Sequence, residues 1–330
     1  MFGKDRFPIK EVHIYYNSTK RRDGPINYGE RLFVHPRFNM KTAIKFDIAL
    51  LKISHGEDDL DAHINSRGCG VSEPTGRVYN GDTIEKPQIP WIVQIVGVRG
   101  DGKANLCAGS IISHNVILTA AHCVETEPPA QQILIFYNTT RPNQGPVTIV
   151  ERFTKHHRFN KQYAAKYDVA LLKVGERISF DRFVRPICLP KRRIPLNGRW
   201  LMAGGWGAKN DRKPPEFPET LLYTTFRAMS REECHSLLSK AEGEDGSGGF
   251  DAKFNLCSST IKGNLCGGDS GAPVTMRQSY GRSVQVGVHS LGTSCSEHGK
   301  YTFAVRVAEF LPWIKKSLRN PESWETAPSP

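Results

Sequence analysis

The sequence predicts an all-β fold that ends in a helix. From Pro90 onward, short apolar runs alternate with turn residues, for example Trp91-Ile-Val-Gln-Ile-Val and Ile133-Leu-Ile-Phe-Tyr. Short runs of this kind are typical of the strands of a β-barrel or sandwich. Apolar residues then recur at helical spacing from Val307 to Leu318, which predicts a closing helix. No apolar stretch is long enough to predict a membrane-spanning helix.

The chain carries an internal repeat. Residues 12–53 align without gaps to residues 133–174, and just under half of the aligned positions are identical. The longest match sets Phe46-Asp-Ile-Ala-Leu-Leu-Lys-Ile against Tyr167-Asp-Val-Ala-Leu-Leu-Lys-Val. Two copies do not make a repeat array. We therefore interpret residues 1–68 as a truncated partial copy of the domain that follows.

Composition predicts several irregular segments. Glycine and proline punctuate residues 69–77, which we interpret as a linker. Residues 238–254 are polar and rich in Gly and Glu, which predicts a mobile surface loop, and the tail at 319–330 is expected to be disordered. The first residues lack the apolar segment of a signal peptide. We expect the true N-terminus to lie further upstream, because the cysteine content indicates a secreted protein.

The eight cysteines indicate disulfides formed in an oxidising compartment. Their number is even and none forms a Cys-x-x-Cys pair, so the spacing typical of zinc is absent and no metal is expected. Their number alone does not choose among the many possible pairings. Glycosylation sequons at Asn17 and Asn138 also agree with secretion.

The formal charge of +12 leaves two interpretations open. The densest basic runs are Lys20-Arg21-Arg22 and Lys191-Arg192-Arg193. They do not alternate with aromatic residues, so nothing favours a nucleic-acid site. A solvated basic surface accounts for the charge, and weak attraction to anionic glycans or surfaces is the alternative.

Three segments carry the residue types that amide hydrolysis requires, namely a nucleophile, a base and a group that orients the base. Leu118-Thr-Ala-Ala-His-Cys-Val places His122 beside a cysteine that can pin it. Asp168 opens an apolar strand, where a buried carboxylate could orient an imidazole. Ser270 lies in Gly267-Gly-Asp-Ser-Gly-Ala-Pro, where glycines permit a tight turn. Each segment is weak evidence alone, but their order along the chain is a much sharper signal.

These motifs resemble those of the trypsin-like serine proteases of the chymotrypsin fold, over residues 78–318. The resemblance implies two antiparallel six-stranded β-barrels with a C-terminal helix and an active site between the barrels. It also implies the roles known for the family's triad. His122 would be the general base and then the acid, Asp168 would hold its productive tautomer, and Ser270 would be the nucleophile. Asp47, the counterpart of Asp168 in the first copy, has no accompanying His or Ser segment and is expected to be non-catalytic.

The resemblance also assigns the residues that would hold a substrate around the nucleophile. The backbone N–H groups of Gly268 and Ser270 would form the oxyanion hole. Ser290, Leu291 and Gly292 resemble the segment that pairs with an extended substrate backbone. Leu291 stands where the family usually has an aromatic residue.

The predicted specificity pocket departs from that of trypsin. Asn264 stands at the floor, where an aspartate would select Lys or Arg. Leu265 is bulkier than the usual neighbour, and Thr302 would narrow an entrance that Gly292 keeps open on the other side. The resemblance thus implies a neutral, partly filled pocket.

Four disulfides are implied by the same resemblance. The pairs are Cys107–Cys123, Cys234–Cys257, Cys266–Cys295 and Cys69–Cys188. The last of these would tether a propeptide to the catalytic domain.

Arg77-Val-Tyr-Asn-Gly resembles the family's activation site. A cut after Arg77 would free the amine of Val78, which would pair with Asp269 beside the nucleophile. Only the β-branched first residue and Gly81 match the usual motif. The alternative that Arg77 is merely a linker arginine therefore stays open.

The sequence as a whole predicts a secreted serine endopeptidase made as a zymogen, with a role in an extracellular cascade such as clotting, immunity or development. The alternative is a catalytically inactive homologue that acts as a binding or scaffold protein. The expected partners are a protein or peptide substrate, an upstream activating protease and a protein inhibitor. No cofactor, nucleic-acid partner or membrane span is expected.

Overall fold

The computed structural model describes residues 13–15, 26–34, 49–54, 64–66, 68–72, 89–161, 166–241, 251–260, 263–279, 281–292, 295 and 301–328. The first three ranges and residues 238–241 are described through their backbone alone. The chain divides into two units, Met1–His63 and Ile64–Pro330. None of the described helices is long and apolar enough to cross a membrane.

The first unit contains a three-stranded antiparallel sheet in the order β1-β2-β3. Its strands are β1 His13–Tyr15, β2 Ile26–Val34 and β3 Ala49–Ser54. The register shift between Gly29 and Arg31 recurs in the second copy between Val150 and Arg152, which is the same pair of positions in the repeat. The two copies therefore share strand order and register as well as sequence.

The first barrel of the second unit is antiparallel and closes through the pairing of β8 with β9. Its strands are β4 Ile92–Arg99, β5 Ala104–Ile111, β6 Val116–Thr119, β7 Ala130–Phe136, β8 Val147–Lys155 and β9 Ala170–Val174. β6 is buried along its whole length and β4 over its first six residues, because these strands supply the apolar core.

The second barrel is also six-stranded and closed, in the order β10-β11-β12-β15-β14-β13. Its strands are β10 Trp200–Gly205, β11 Leu222–Ala228, β12 Asn255–Thr260, β13 Pro273–Arg277, β14 Ser283–Gly292 and β15 Tyr301–Arg306. Two closed antiparallel barrels confirm the fold class that the sequence predicts.

Two α-helices accompany the barrels in the described chain. The closing helix, α2, spans Val307–Leu318 as predicted and buries Val307, Phe310, Leu311 and Ile314 on one face. The other helix, α1, spans Arg231–Ala241. It begins at a capping box, in which Ser230 N donates to Glu233 Oε2 at 2.7 Å and Glu233 N donates to Ser230 Oγ at 3.0 Å.

Helix α1 corrects the start of the predicted mobile loop. That loop was expected from residue 238, but the helix continues to Ala241. Residues 242–250 lie outside the described chain, and residues 251–254 lead into β12. The capping box and the acidic first turn favour the helix.

The expected disorder of residues 319–330 is also corrected, up to residue 328. A 3-10 turn at Pro321–Ser323 leads into β16, Glu325–Thr326, which pairs with β8. Trp324 is buried against the core of the first barrel, and its Nε1 donates to Ser317 O at 3.0 Å. The burial of one large aromatic side chain offsets the entropy of ordering a short tail, which polar composition alone does not predict.

Direct hydrogen bonds join the two barrels. Ala108 N, on β5, donates to Ser270 O at 2.7 Å, just before β13. Ser110 Oγ donates to Gln285 Oε1 on β14 at 2.6 Å, with both residues buried. Segments from both barrels are therefore fixed against each other at this junction.

The four disulfides in the structure have the pairings that the resemblance implies. They are Cys69–Cys188, Cys107–Cys123, Cys234–Cys257 and Cys266–Cys295.

Candidate active site

His122 lies in a 3-10 turn, Ala121–Cys123, that follows β6. The Cys107–Cys123 disulfide fixes this turn to β5. The ring of His122 is partly exposed, with 30% of the side chain accessible, whereas its neighbours Ala121 and Cys123 are buried. The turn therefore holds the imidazole at the surface of the junction on a rigid base.

Asp168 has a fully buried carboxylate that accepts three hydrogen bonds. Asp168 Oδ1 accepts from His122 N at 2.9 Å, and Oδ2 accepts from His122 Nδ1 at 2.7 Å. The third donor is Ser290 Oγ, 2.6 Å from Oδ2. A buried carboxylate needs such donors, and these also orient the ring.

The pKa of His122 is raised by this arrangement. Burial by itself lowers the pKa, but the charge of Asp168 and its hydrogen bond to the ring outweigh burial. The protonated imidazole is therefore stabilised where a base would receive a proton.

Ser270 lies in a glycine-rich turn before β13. A Cβ on Gly271 would approach Thr119 Oγ1 to 2.1 Å and Ala108 O to 2.2 Å, so only glycine fits this contact with the first barrel. The sulfur of Cys123, next to His122, lies 3.6 Å from Ser270 O. The turn is thereby set against both β5 and the histidine segment.

His122 and Ser270 line one cleft of about 340 Å³, together with Gly268, Leu106 and Phe217. Within the described chain no hydrogen bond joins Ser270 Oγ to His122. Hydrogen bonds between a nucleophile and its base are often long without a substrate and tighten when one binds. The shared cleft is the observation that brings the predicted nucleophile and base together.

Three backbone N–H groups of the Ser270 turn, those of Gly267, Gly268 and Ser270, have no acceptor among the described residues. Asp269 N donates to Cys266 O at 2.9 Å and Gly271 N donates to His289 O at 2.8 Å. Neither Gly268 N nor Ser270 N has a described acceptor, and Gly268 has a φ of 101°. This turn therefore offers the two donors that the sequence assigns to an oxyanion hole.

Asp269 is buried beside Ser270, and among the described residues its carboxylate accepts hydrogen bonds from backbone groups alone. Gly207 N donates to Oδ1 at 2.7 Å and Cys266 N donates to Oδ2 at 2.9 Å. A Cβ on Gly205 would lie 2.0 Å from Asp269 Oδ1, so the Gly205-Trp206-Gly207 segment fits closely around the carboxylate. Burial raises the pKa of Asp269 to about 6, against the opposing effect of these two hydrogen bonds.

Stability of the uncleaved chain is therefore expected to depend on Asp269. Its pKa rises from 3.8 in the unfolded chain to about 6 in the fold. Between these values the folded chain binds more protons, so the free energy of unfolding falls as pH rises, by about 3 kcal/mol at most.

Urea denaturation of the uncleaved protein and of Asp269→Asn, measured at pH 4 and pH 7, tests this. The variant is expected to be less stable at pH 4, because an amide cannot accept both backbone hydrogen bonds, but to lose less stability toward pH 7. Equal pH dependence in the two proteins would contradict the assignment.

The predicted pocket residues lie close together. Asn264 Nδ2 donates to Tyr301 O at 3.3 Å, and Leu265 N donates to Asn264 Oδ1 at 2.9 Å. A Cβ on Gly292 would lie 2.9 Å from Leu265 O and 3.3 Å from Asn264 Nδ2. The two walls approach so closely that glycine is needed at 292.

His289 is a buried residue of this region that the sequence does not single out. Thr302, itself buried, places Oγ1 3.0 Å from His289 Nδ1. Burial, followed by the nearby charge of His122, lowers the pKa of His289 to about 3. His289, which lies next to Ser290 in the chain, therefore carries no charge at neutral pH. No local motif marks His289, because its role depends on the pairing of β14 with β15.

The structure describes the contacts of some of the remaining predicted site residues but not of others. Arg77, Val78 and Asn17 lie outside the residues whose contacts the structure describes. Asn138 is exposed in the turn after β7. Leu291 packs against the small cluster around Cys257 and Phe303.

The donor atoms of Cys107, His122 and Cys123 come within 4.8 Å of one another. Both cysteines are oxidised in one disulfide, so neither offers a thiolate, and this group does not fit a metal ion.

Comparisons with known proteins match the part of the chain that contains His122, Asp168 and Ser270. A family model described as Trypsin matches residues 78–314. Trypsin 5G1 of Aedes aegypti is 29% identical over 245 residues, covering 73% of this chain and 85% of the relative. CLIP domain-containing serine protease B15 of Anopheles gambiae is 26% identical over 272 residues, covering 76% of this chain and 72% of the relative. A solved structure of HL collagenase is 26% identical, with a TM-score of 0.60, and covers 73% of this chain and 98% of that one.

Proposed function

The chain belongs to the trypsin family, and we propose that it is a serine endopeptidase. Ser270 is the nucleophile, His122 the base and Asp168 the carboxylate that orients the base. The observation that carries this proposal is the joint placement of the hydrogen-bonded His122–Asp168 pair and Ser270 around one cleft.

The geometry supports a definite course for the reaction. Because Nδ1 of His122 is bonded to Asp168, Nε2 is the atom that can take the proton from Ser270 Oγ as this oxygen attacks the substrate carbonyl. The raised pKa of His122 favours the imidazolium that forms. This imidazolium then returns the proton to the leaving amine, and a water molecule repeats the sequence to release the acyl group.

The charge that develops on the substrate oxygen needs preorganised donors. Gly268 N and Ser270 N are suited to this role, because neither donates to another described acceptor. Ser290 Oγ donates to Asp168 Oδ2, the same oxygen that accepts from His122 Nδ1, so we assign Ser290 as a positioning residue. Its backbone would also pair with the substrate.

An active-site titrant tests this proposal against the inactive-homologue alternative. A fluorophosphonate is expected to label Ser270 of the activated protein stoichiometrically, with the adduct located by peptide mass spectrometry. His122→Ala is the control, since the serine loses its base there and labelling should be slow. A wild-type protein that stays unlabelled after activation would favour a binding or scaffold role.

Secretion and activation by cleavage are part of the same proposal. Four disulfides are suited to an oxidising compartment, and the exposed Asn138 is accessible to a glycan. Residues 78–318 would form the catalytic domain, and Cys69–Cys188 would retain the propeptide after a cut at Arg77. An upstream protease would make that cut, and the enzyme would act on protein substrates in an extracellular cascade, where a protein inhibitor would limit it.

The enzyme is expected not to prefer Lys or Arg at the cleaved residue. Asn264 offers no charge to a basic side chain, and the neutral His289 adds none. A peptide library should therefore show higher kcat/KM for small or medium uncharged residues.

The matched variant for this test is Asn264→Asp, which supplies the missing carboxylate. It is expected to raise the ratio of kcat/KM for Arg over uncharged substrates by about tenfold or more. Efficient cleavage after Arg by the wild-type enzyme would contradict the proposed pocket.

A further inference from the structure

A groove of about 840 Å³ lies beside the Cys69–Cys188 disulfide. Four cationic side chains line it, and we call it the basic groove. They are Lys191, Arg192, Arg193 and Arg282. The cleft around Ser270 is lined by a different set of residues. The groove is thus a second site of this molecule.

The groove has a rigid base. Gly70 N donates to Pro186 O at 2.8 Å, and Ser283 N donates to Gly70 O at 2.8 Å, so the upstream segment is clamped between two parts of the catalytic domain. Asn65 Oδ1 accepts from Leu189 N at 2.8 Å. A Cβ on Gly70 would lie 2.1 Å from Ser283 O, so this packing requires glycine. A ligand would meet a largely preformed surface.

The cations of the groove have few anionic neighbours. Lys191 and Arg192 are exposed and Arg282 is half-buried, and in the described residues none of the three forms an ion pair. Arg193 is paired with Glu309, with Nε 3.0 Å from Oε1, and it is the member of the set whose charge is locally compensated.

More positive charge lies close to Arg193. The pKa of Arg306 is lowered to about 10, mainly by burial and then by the charges of Arg193 and Arg231, against the opposing effect of Glu309. Arg306 lines a small cavity together with Arg193 and Glu309, so a further arginine lies next to the groove.

We propose that the basic groove binds a sulfated polysaccharide chain. Arginine presents a planar fork that matches the oxygens of a sulfate group, and lysine adds a mobile point charge. A linear polyanion also gains from the release of condensed counterions when several cations bind it together. Sulfated glycans are the polyanions of the oxidising, extracellular compartment that the four disulfides indicate.

The lining of the groove disfavours other macromolecules. None of the described residues that line it is aromatic. Single-stranded nucleic acids are held by aromatic stacking as well as charge, and protein partners by buried aromatic anchors. A groove of exposed and half-buried cations with aliphatic residues between them is suited to a flexible, highly charged sugar chain.

The first experiment measures the affinity of the full chain, carrying Ser270→Ala to prevent self-cleavage, for a heparin oligosaccharide at about 0.15 M salt. In this background Lys191→Gln, Arg192→Gln and Arg282→Gln together are expected to weaken binding by about tenfold or more. The matched control is Arg177→Gln, Lys213→Gln and Arg319→Gln, which removes the same charge from exposed residues outside the groove. It should change affinity by less than about twofold. Equal losses in the two triple variants would overturn the proposal, since binding would then follow net charge alone.

The second experiment identifies the residues covered and the chemistry recognised. Bound heparin is expected to protect Lys191, but not Lys213, from acetylation in the unsubstituted chain. Hyaluronan, which carries carboxylates without sulfates, should compete poorly. Equal protection of both lysines, or equally strong competition by hyaluronan or by polyglutamate, would overturn a sulfate-specific groove.

Discussion

Replacing Ser270 with alanine is expected to lower kcat/KM for peptide hydrolysis by about 10⁴-fold or more while leaving the fold intact. The backbone of Ser270 is held by the hydrogen bond from Ala108 N at 2.7 Å, which the substitution keeps. The serine hydroxyl has no described hydrogen bond in the resting protein, so its removal leaves no buried partner unsatisfied. Only the attacking oxygen is lost.

The measurement is steady-state hydrolysis of a peptide that the wild-type enzyme cleaves after activation, with circular dichroism and thermal unfolding as the test of folding. Ser279→Ala is the matched control, because Ser279 is exposed and lies outside the cleft. Near-wild-type activity in a folded Ser270→Ala protein would show that another residue is the nucleophile.

The second large effect is expected at Arg77. Arg77→Gln should keep the protein in an inactive form after treatment with a protease that cuts after basic residues. Without a cut, Val78 has no free amine to reach Asp269. A cavity of about 350 Å³ borders Asp269 and Gly207, as well as the predicted pocket residues Asn264 and Leu265, and it offers room beside Asp269 for the new N-terminus.

The physical reason lies in the resting state of Asp269. Its carboxylate is buried with two backbone donors and no described cation, so the pKa is raised to about 6. A buried amine there would supply the missing positive charge and lower that pKa. Since a buried ion pair is costly unless its geometry is good, the pair would act as a switch for the Ser270 turn more than as a source of stability.

A gel and an activity assay together test the switch. Cleaved wild-type protein should run as one band without reductant, because Cys69–Cys188 retains the propeptide, and as two bands with reductant. Arg67→Gln serves as a control, since it removes a nearby basic residue and should leave activation unchanged. Full activity of Arg77→Gln would rule out this switch, and two bands without reductant would rule out the tether.

Much of the fold could be predicted from local patterns. The apolar spacing of Val307 to Leu318 predicts both ends of helix α2, because a helix buries residues three and four apart. The short apolar runs that predict the strands are likewise local patterns in the sequence. The prediction of a disordered tail is wrong because the burial of Trp324 depends on the barrel surface against which it packs. The predicted start of the mobile loop is also wrong, because α1 continues to Ala241.

The candidate site likewise combines features that the sequence predicts with contacts that are seen only in the structure. The residue types and order of His122, Asp168 and Ser270 are visible in the chain, and their proposed roles come from the family resemblance. The hydroxyl of Ser290 on Asp168 joins residues 122 positions apart, and no local signal marks it. The neutral His289 behind the pocket is also invisible before β14 and β15 are paired.

The all-β architecture, the repeat, the family and the candidate triad can therefore be predicted from the chain alone, because they depend on residue patterns and motifs that are continuous in the sequence. The donors around Asp168 and Asp269, and the groove that Lys191 and Arg282 line together, become visible in the folded chain. Those arrangements bring together segments far apart in the chain. They depend on barrel closure and on strand register, which no local pattern of residues encodes.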